Sequence, residues 1–232
     1  MLLNRLLLLV LLFLFVGCGS SSTEGPSSGI GVSSYARGFI NSDECDVIVD
    51  KVFLAICYDN TLKVAKAVGY GLDGTLVHQL NISDRPSFYA ETAIDVSSRA
   101  STSDYRNSGY DRGHLAPDAS FDWSQESLDA TYSLANIIPQ VPEVNQQMWV
   151  DVENYERRKA VDLGTVNVLN IVKYSTNPTR IGASQIAVSD GYYKVLYKDE
   201  YMECFYYAND LNASSNGDSL ALHKVNCNEV NY

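Results

Sequence analysis

One long amphipathic helix stands among segments rich in β-branched and aromatic residues, and this contrast constrains the fold more than any other feature of the sequence. The helix is predicted over residues 141–161, where Pro142 suits the first turn and Glu143 suits the positive helix N-terminus. The residues expected to face the core recur at helical spacing: Val144, Met148, Val152 and Tyr155. A shorter helix is expected over residues 123–132.

Six other segments have the composition of strands and are separated by turn residues such as Asp-Asn and Asp-Gly. They are residues 45–59, 61–77, 164–175, 185–199, 202–210 and 219–230. His78 and His223 fall in apolar stretches and are interpreted as half-buried strand histidines. No internal repeat or second domain is evident, so the sequence predicts one α+β domain with an antiparallel sheet core and packed helices.

The first residues have the pattern of an export signal. Arg5 precedes eleven unbroken apolar residues, 6–16, a run that is too short to span a bilayer comfortably. Residues 15–18, "FVGC", at the end of this run resemble a lipobox, in which the cysteine, here Cys18, is lipidated. Cleavage that releases a soluble protein and an uncleaved anchor are the alternatives.

Each of these outcomes places the protein outside the cytoplasm. The preferred one is a membrane-anchored lipoprotein that faces the periplasm or the cell surface, and the alternative is a soluble periplasmic or secreted protein. We therefore expect residues 1–17 to be a signal peptide and residues 18–44, rich in Ser and Gly, to be a flexible tether. The folded domain is expected over residues 45–232.

Four cysteines lie in the predicted domain. An even count in an exported chain indicates two disulfides, for which three connectivities exist. We prefer Cys45–Cys57 with Cys204–Cys227, because each pair closes a local loop. Metal ligation by these cysteines is disfavoured, since no Cys-x-x-Cys spacing occurs.

The charge balance limits the modes of nucleic-acid binding. The chain has 17 Lys and Arg against 28 Asp and Glu, a formal charge of -11. Proteins that coat nucleic acid through bulk charge are basic, so the composition argues against that mode. It leaves room for a site where a few arginines meet one phosphate.

On the long helix, four residues follow one another at intervals of four positions: Asn145, Trp149, Glu153 and Arg157. At about 100° per residue, Asn145 and Glu153 lie roughly 80° apart around the axis, so both can address one site. An amide oxygen and a carboxylate suit a hydrated hard cation. A solvated helix face is the alternative interpretation of these residues on their own.

The segment "YDRGHLAP" places His114 among charged residues ahead of this helix. It is predicted to be a strand that enters a loop, and "SLANIIPQ" is predicted to be a second short strand. The order strand, strand, helix would bring His114 over the first half of the helix. A histidine beside a hydrated divalent ion can act as a general base toward water.

Together, "DRGHLAP" and "NIIPQVPEVNQQMWVDVE" resemble the signature of the DNA/RNA non-specific endonuclease family. The resemblance extends over most of residues 45–225 and implies a ββα-metal, or His-Me finger, element. It also implies that His114 is the general base and that Asn145 is the direct protein ligand to Mg²⁺, with Mn²⁺ as an alternative ion. Glu153 would then hold metal-bound water.

The resemblance implies further roles around the phosphate. Arg85 and Arg112 would face it, with Arg99 and Arg106 as alternatives to Arg85 in the same region. Arg157 would neutralise charge near the leaving group. The implied partner is DNA or RNA, bound through its phosphates.

Two more residues receive supporting roles from the same resemblance. Asn136 would hold the loop geometry around the site, and Asp111 would fix Arg112 or the backbone. The implied reaction is sequence-non-specific hydrolysis that leaves 5′-phosphates. The alternatives are a non-catalytic lipoprotein that binds nucleic acid or protein on the same scaffold, and a phosphodiesterase for small nucleotides.

Overall fold

Seven antiparallel strands form the central sheet in the computed structural model, which describes Ile40 and residues 44–230. The strand order is β1-β2-β3-β6-β9-β10-β11. The strands are β1 (Val47–Asp50), β2 (Leu54–Asp59), β3 (Val64–Asp73), β6 (Thr165–Lys173), β9 (Gly191–Lys198), β10 (Tyr201–Ala208) and β11 (Lys224–Val225). With the helices packed on it, this sheet confirms the predicted α+β class.

Within residues 44–230, two small hairpins and two helices complete the regular structure. The hairpins pair β4 (Asp111–His114) with β5 (Ile137–Gln140), and β7 (Arg180–Ile181) with β8 (Ile186–Ala187). Helix α1 spans Gln125–Thr131, and helix α2 is a π-helical turn, Val144–Met148, continued by α-helix Trp149–Leu163. Six 3₁₀ turns are Val96–Ser98, Thr102–Tyr105, Asp118–Ser120, Leu134–Asn136, Leu220–His223 and Cys227–Glu229.

The sequence prediction was wrong for the segment around His78. Asp73 accepts hydrogen bonds from the backbone N–H and the hydroxyl of Thr75, so the chain turns at the end of β3. Residues 74–79 form consecutive turns, and His78 is exposed rather than half-buried in a strand.

The prediction of a strand over residues 219–230 was also wrong for most of its length. His223 lies in a 3₁₀ turn, where its ring nitrogens contact the Tyr206 carbonyl and Asp218 Oδ1 at 3.1 and 2.8 Å. These side-chain contacts hold the segment folded over β10, with the imidazole stacked 3.7 Å from the Tyr207 ring. Only Lys224 and Val225 pair as a strand.

The two faces of the sheet carry different residues, because neighbouring strand residues point in opposite directions. One face packs against α2 and the β4–β5 hairpin and includes three buried polar side chains, Tyr70, Asn170 and Lys194. We call it the hairpin face. The other face carries small apolar residues such as Ala55 and Ala67, and we call it the disulfide face.

Both disulfides lie on the disulfide face, paired as the sequence analysis preferred. Cys45–Cys57 and Cys204–Cys227 have Cα–Cα distances of 5.1 and 5.3 Å. Each disulfide links a segment next to an edge strand to the neighbouring strand. Cys45 lies just before β1 and is linked to β2, and Cys227 lies just after β11 and is linked to β10. Ile40, from the predicted tether, is only 1% exposed and belongs to the same cluster, so packing begins before Cys45.

Helix α2 places one stripe of residues against the hairpin face: Trp149, Val152, Glu156 and Ala160. Val144 and Val152 are fully buried as predicted, whereas Met148 and Tyr155 are only partly buried. The helix ends at Gly164, whose φ of 78° suits a residue without a side chain.

The predicted signal peptide, Cys18 and nearly all of the predicted tether lie outside the described residues. In the part of the chain that is described, no helix is long and apolar enough to cross a bilayer.

Candidate active site

His114 ends strand β4, opposite Ile137 of β5. Its ring packs in one cluster with two aromatic rings, with centroid distances of 5.4 Å to Phe88 and 5.0 Å to Tyr132. Nε2 is buried and has no hydrogen-bond partner among the described residues. Burial lowers the pKa of His114 to about 4, and the ring is therefore neutral at pH 7.

The loop after His114 is fixed by Asn136, a fully buried residue. The Asn136 side chain donates to the carbonyls of Ala116 and Thr131, both at 2.9 Å, and accepts from the Ala116 N–H at 2.9 Å. The sheet adds a further contact, because Asn170 Nδ2 donates to the Leu115 carbonyl at 2.9 Å. These bonds hold the backbone that positions the imidazole.

Asn145 lies in the π-helical turn that opens α2, and its amide is oriented by strand β4. Asn145 Nδ2 donates to Asp111 Oδ2 at 3.0 Å, and Gln146 Nε2 donates to the same oxygen at 2.7 Å. Asp111 thus pairs with the helix rather than with Arg112, which was one of the two partners, with the backbone, that the resemblance implied. With its amide nitrogen held, Asn145 presents Oδ1, which has no hydrogen bond among the described residues.

Glu153 lies two turns further along α2. Its carboxylate has no hydrogen-bond partner in the described part of the chain. Burial raises the pKa of Glu153 to about 8, and the neighbouring Glu156 adds to this rise, while Lys194 and Arg157 oppose it. A carboxyl group with this pKa is mostly protonated at pH 7 when it has no cationic partner. A cation bound beside it would favour the ionised form, so the position suits a cation.

The donor set formed by Asn145 Oδ1 and Glu153 fits a hydrated Mg²⁺ ion. Mg²⁺ binds oxygen, tolerates few protein ligands and keeps several waters. Within Ile40 and residues 44–230, no group of three or more His, Cys, Asp or Glu side chains could hold a metal ion. A cation at this site would therefore depend on one amide and one carboxylate, completed by water and substrate oxygens.

Arg85 and Arg157 line one cleft of about 390 Å³ beside the hairpin. Arg85 Nη2 lies 3.0 Å from Asp122 Oδ2, and Arg85 Nε lies 3.5 Å from Asp118 Oδ2. Arg85 is also close enough to His114 to lower its pKa further. The same cleft includes the exposed His78, which the sequence analysis placed in a strand away from any site.

Arg157 and Arg112 present their guanidinium groups differently. Arg157 donates to Ser120 Oγ at 3.2 Å and to Asn154 Oδ1 at 2.6 Å. Arg112 is exposed and lies 4.9 Å from the centre of the Phe88 ring.

Of the two alternatives to Arg85, Arg99 is committed to backbone carbonyl oxygens. Its guanidinium donates to Ile94 and Thr92 at 2.5 and 3.1 Å. The other, Arg106, lines a second cleft together with Arg112.

A buried ion pair behind the site was missed by the sequence analysis. Lys194 Nζ lies 2.5 Å from Glu156 Oε2, with both side chains fully buried. Tyr70 donates to Glu156 Oε2 and Ser120 to Glu156 Oε1, both at 2.9 Å. Because Ser120 also accepts from Arg157, the pair is connected to the active-site cleft.

A signal for this pair was present in the sequence. Glu156 occupies a core position of the stripe that runs from Trp149 through Val152 to Ala160 on α2. Lys194 occupies the matching inward position of β9, between the buried Tyr192 and Leu196. Two opposite charges at core positions indicate a partnered buried pair.

Comparison with known proteins relates this chain to the same family that its sequence motifs resemble. The sequence model of the DNA/RNA non-specific endonuclease family matches residues 33–231. The mitochondrial endonuclease G proteins of Bos taurus and Homo sapiens are each 36% identical over 123 residues, which cover 47% of this chain and 40% of theirs. The chain thus spans less than half the length of these relatives.

A solved structure supports the same relationship. The crystal structure of the EndoG/EndoGI complex contains a chain with a TM-score of 0.74 and 26% sequence identity to this protein. The match covers 81% of this chain and 83% of that one. The two chains therefore share a fold over most of their length.

Proposed function

The chain belongs to the DNA/RNA non-specific endonuclease family, and on that premise we propose that it is a metal-dependent endonuclease that hydrolyses phosphodiester bonds of DNA, RNA or both. The observation that carries the proposal is the pair of unpartnered oxygen donors, Asn145 Oδ1 and the Glu153 carboxylate, on the helix that follows the His114 hairpin. This arrangement combines a base for water with a place for a cation.

His114 is the proposed general base. Because burial lowers its pKa to about 4, the imidazole is unprotonated at neutral pH and can accept a proton from an attacking water. Nδ1 is the proposed acceptor, since Nε2 is enclosed. Asn136 acts as a positioning residue by fixing the loop behind the ring.

Asn145 and Glu153 are the proposed metal-site residues. Asn145 Oδ1 would bind Mg²⁺, or Mn²⁺ in its place, and Glu153 would hold a water of its hydration shell. The ion would supply stabilisation of the charge that develops on the phosphate and its leaving oxygen. Asp111 positions Asn145 by holding its amide nitrogen.

Three arginines are proposed to contact the substrate. Arg85 and Arg112 would bind phosphate oxygens, and Arg157 would offset charge near the departing 3′-oxygen, which leaves a 5′-phosphate on the product. Contacts to phosphate carry no information about the bases, so sequence preference is expected to be weak.

The experiment that tests this function is digestion of supercoiled plasmid and of single-stranded RNA by the purified protein. Wild type with Mg²⁺ should cleave, EDTA should abolish cleavage, and His114→Ala should lower the rate roughly 10²–10⁴-fold. His223→Asn is the matched control, because it removes a histidine outside the site. It should keep its activity per folded molecule.

The opposite outcome is equally informative. If folded wild type and His114→Ala were equally inert on DNA and RNA with Mg²⁺ and with Mn²⁺, the proposed activity would be wrong. A non-catalytic lipoprotein that binds nucleic acid or protein on this scaffold would then be favoured.

For the cellular location, we propose export and lipidation at Cys18, with the domain at the periplasmic or cell surface. The support is the apolar run before "FVGC" and the two disulfides, which suit an oxidising compartment. Wild type should partition with membranes, and Cys18→Ala should not. Equal membrane association of both would contradict lipidation.

A further inference from the structure

A second cleft contains the first half of strand β4. It has a volume of about 350 Å³ and is lined by Thr102, Tyr105, Arg106, Tyr110, Asp111 and Arg112. The Arg85 cleft includes Ala119 and Asp122, which follow the end of β4, so the two clefts bracket His114 along the chain.

The arginines of this second cleft differ from most of the others in their partners. Four of the seven arginines of the described region donate to protein oxygens: Arg85, Arg99, Arg157 and Arg180. Arg158 and Arg112 instead lie over aromatic rings, those of Tyr155 and Phe88. Arg106 and Arg112 are exposed and have no protein oxygen as acceptor in that region. Two such guanidinium groups in a protein of charge -11 form a local anion-binding feature.

The only carboxylate that lines this cleft among the described residues is that of Asp111. Its Oδ2 accepts hydrogen bonds from the side-chain amides of Asn145 and Gln146, so it is directed toward helix α2. Neither arginine pairs with it. The cleft therefore keeps two cationic groups available to a ligand.

The loop that brings the two arginines together is preformed. Asn107 and Gly109 have φ values of 57° and 84°, which turn the chain sharply between Arg106 and Arg112. Ser108 Oγ holds this turn by donating to the Tyr105 carbonyl at 2.8 Å and accepting from the Tyr110 N–H at 3.1 Å. Because this loop is already held in place, it needs little further ordering when an anion binds.

The position of this cleft relative to His114 indicates which anion it would bind. Arg112 and His114 are two residues apart on one strand, so their side chains leave the same face roughly 7 Å apart. The Phe88 ring lies beside both, with its centre 4.9 Å from Arg112 and 5.4 Å from the His114 ring. An anion in the cleft would thus lie next to the phosphate being cleaved, as a neighbouring phosphate of one strand does.

We propose that Arg106, beside Arg112, forms a second phosphate subsite that binds a phosphodiester of the polynucleotide flanking the scissile one. This inference rests on the proposed function and specifies its substrate as a polynucleotide rather than a small nucleotide. Arg106 contributes to binding of the strand, whereas the reacting phosphate is addressed by the residues around His114.

The test compares Arg106→Gln with Arg158→Gln, which makes the same charge change at an exposed arginine of α2 outside both clefts. On a long DNA substrate, Arg106→Gln should raise KM several-fold with little change in kcat. On bis(4-nitrophenyl) phosphate, which cannot reach the subsite, it should behave as wild type. Arg106→Lys should restore part of the lost affinity.

A binding measurement separates this proposal from the proposed activity. With EDTA present, a 12-nucleotide single-stranded DNA should bind Arg106→Gln more weakly than wild type. The slope of log affinity against log salt should fall by about 0.7, the value for one phosphate contact on a single strand. Arg158→Gln should leave this slope unchanged, and none of these results requires catalysis.

Two results would overturn the subsite. One is equal binding and equal salt slopes for Arg106→Gln, Arg158→Gln and wild type. The other is an equal loss of kcat for Arg106→Gln on both substrates, which would place Arg106 at the reacting phosphate. An inert wild type that still shows the Arg106-dependent binding would refute the proposed activity and keep the subsite.

Discussion

The two faces of the central sheet are stabilised by different means. The hairpin face contains a buried ion pair, Glu156–Lys194, together with the buried polar groups of Tyr70 and Asn170. The disulfide face has small apolar side chains and both covalent cross-links. All of the proposed catalytic and metal-site residues lie on the hairpin side.

The two faces differ in whether the groups that stabilise the core also contact residues of the proposed site. On the hairpin face, the groups that hold the core together also touch residues of the site, since Ser120 bonds both Glu156 and Arg157. On the disulfide face, the cross-links act mainly on the unfolded chain and touch no site residue. Changes on the first face should therefore alter stability and activity together, and changes on the second should alter stability alone.

The strongest test of this comparison is Lys194→Met. It leaves the Glu156 carboxylate buried without its cation, which should lower the free energy of unfolding by roughly 3–5 kcal/mol. Urea unfolding followed by circular dichroism measures this loss. Activity per folded molecule should also fall, because the Ser120–Arg157 contact depends on Glu156.

A matched control removes both charges. The double variant Lys194→Met with Glu156→Met leaves no unpaired charge and should lose less stability than Lys194→Met alone. If both variants lost the same free energy, the pair would not be the coupled unit that the contacts indicate.

On the disulfide face, the corresponding test is the double variant Cys45→Ser with Cys57→Ser. Removing this cross-link, which closes a loop with a sequence separation of 12, should lower the free energy of unfolding by about 3 kcal/mol. Under conditions where the protein stays folded, its plasmid cleavage rate should match that of wild type. A changed rate would show that the two faces are coupled.

The sequence was sufficient for the sheet and for the order of the site elements. Alternating Val, Ile and aromatic residues predicted the main strands, and the stripe with Val144 and Val152 predicted helix α2. It was not sufficient for His78 and His223, because apolar alternation persists there while Asp73 and Asp218 bend the chain through side-chain hydrogen bonds.

Contacts between distant parts of the chain were beyond pattern analysis. Glu156 and Lys194 are 38 residues apart. Their core positions on α2 and β9 indicate buried charges, but only the packing of β9 behind α2 shows that they pair with each other. The same holds for Asp111, whose partner depends on how the β4–β5 hairpin meets the π-helical turn. Such pairings follow from tertiary geometry rather than from local spacing.

The smallest expected effect lies within the site itself. Asp111→Ala removes the acceptor for Asn145 Nδ2, so the amide can rotate and Oδ1 loses its fixed direction. The apparent affinity for Mg²⁺ should then fall roughly 10-fold or somewhat more, as for other groups that orient a metal ligand. Mg²⁺ dependence of cleavage at saturating DNA measures this change.

Gln146→Ala is the control for Asp111, because it removes the other donor to the same carboxylate and leaves the Asn145 contact in place. It should change the apparent Mg²⁺ affinity by less than Asp111→Ala does. The KM for DNA gives a second readout, since Asp111→Ala also removes a negative charge from the Arg106 cleft and should not weaken DNA binding. A raised KM for DNA with an unchanged Mg²⁺ dependence would mean that Asp111 serves the substrate and not Asn145. In that case, the Asp111–Asn145 contact would not be one of the contacts through which the hairpin face supports the metal site.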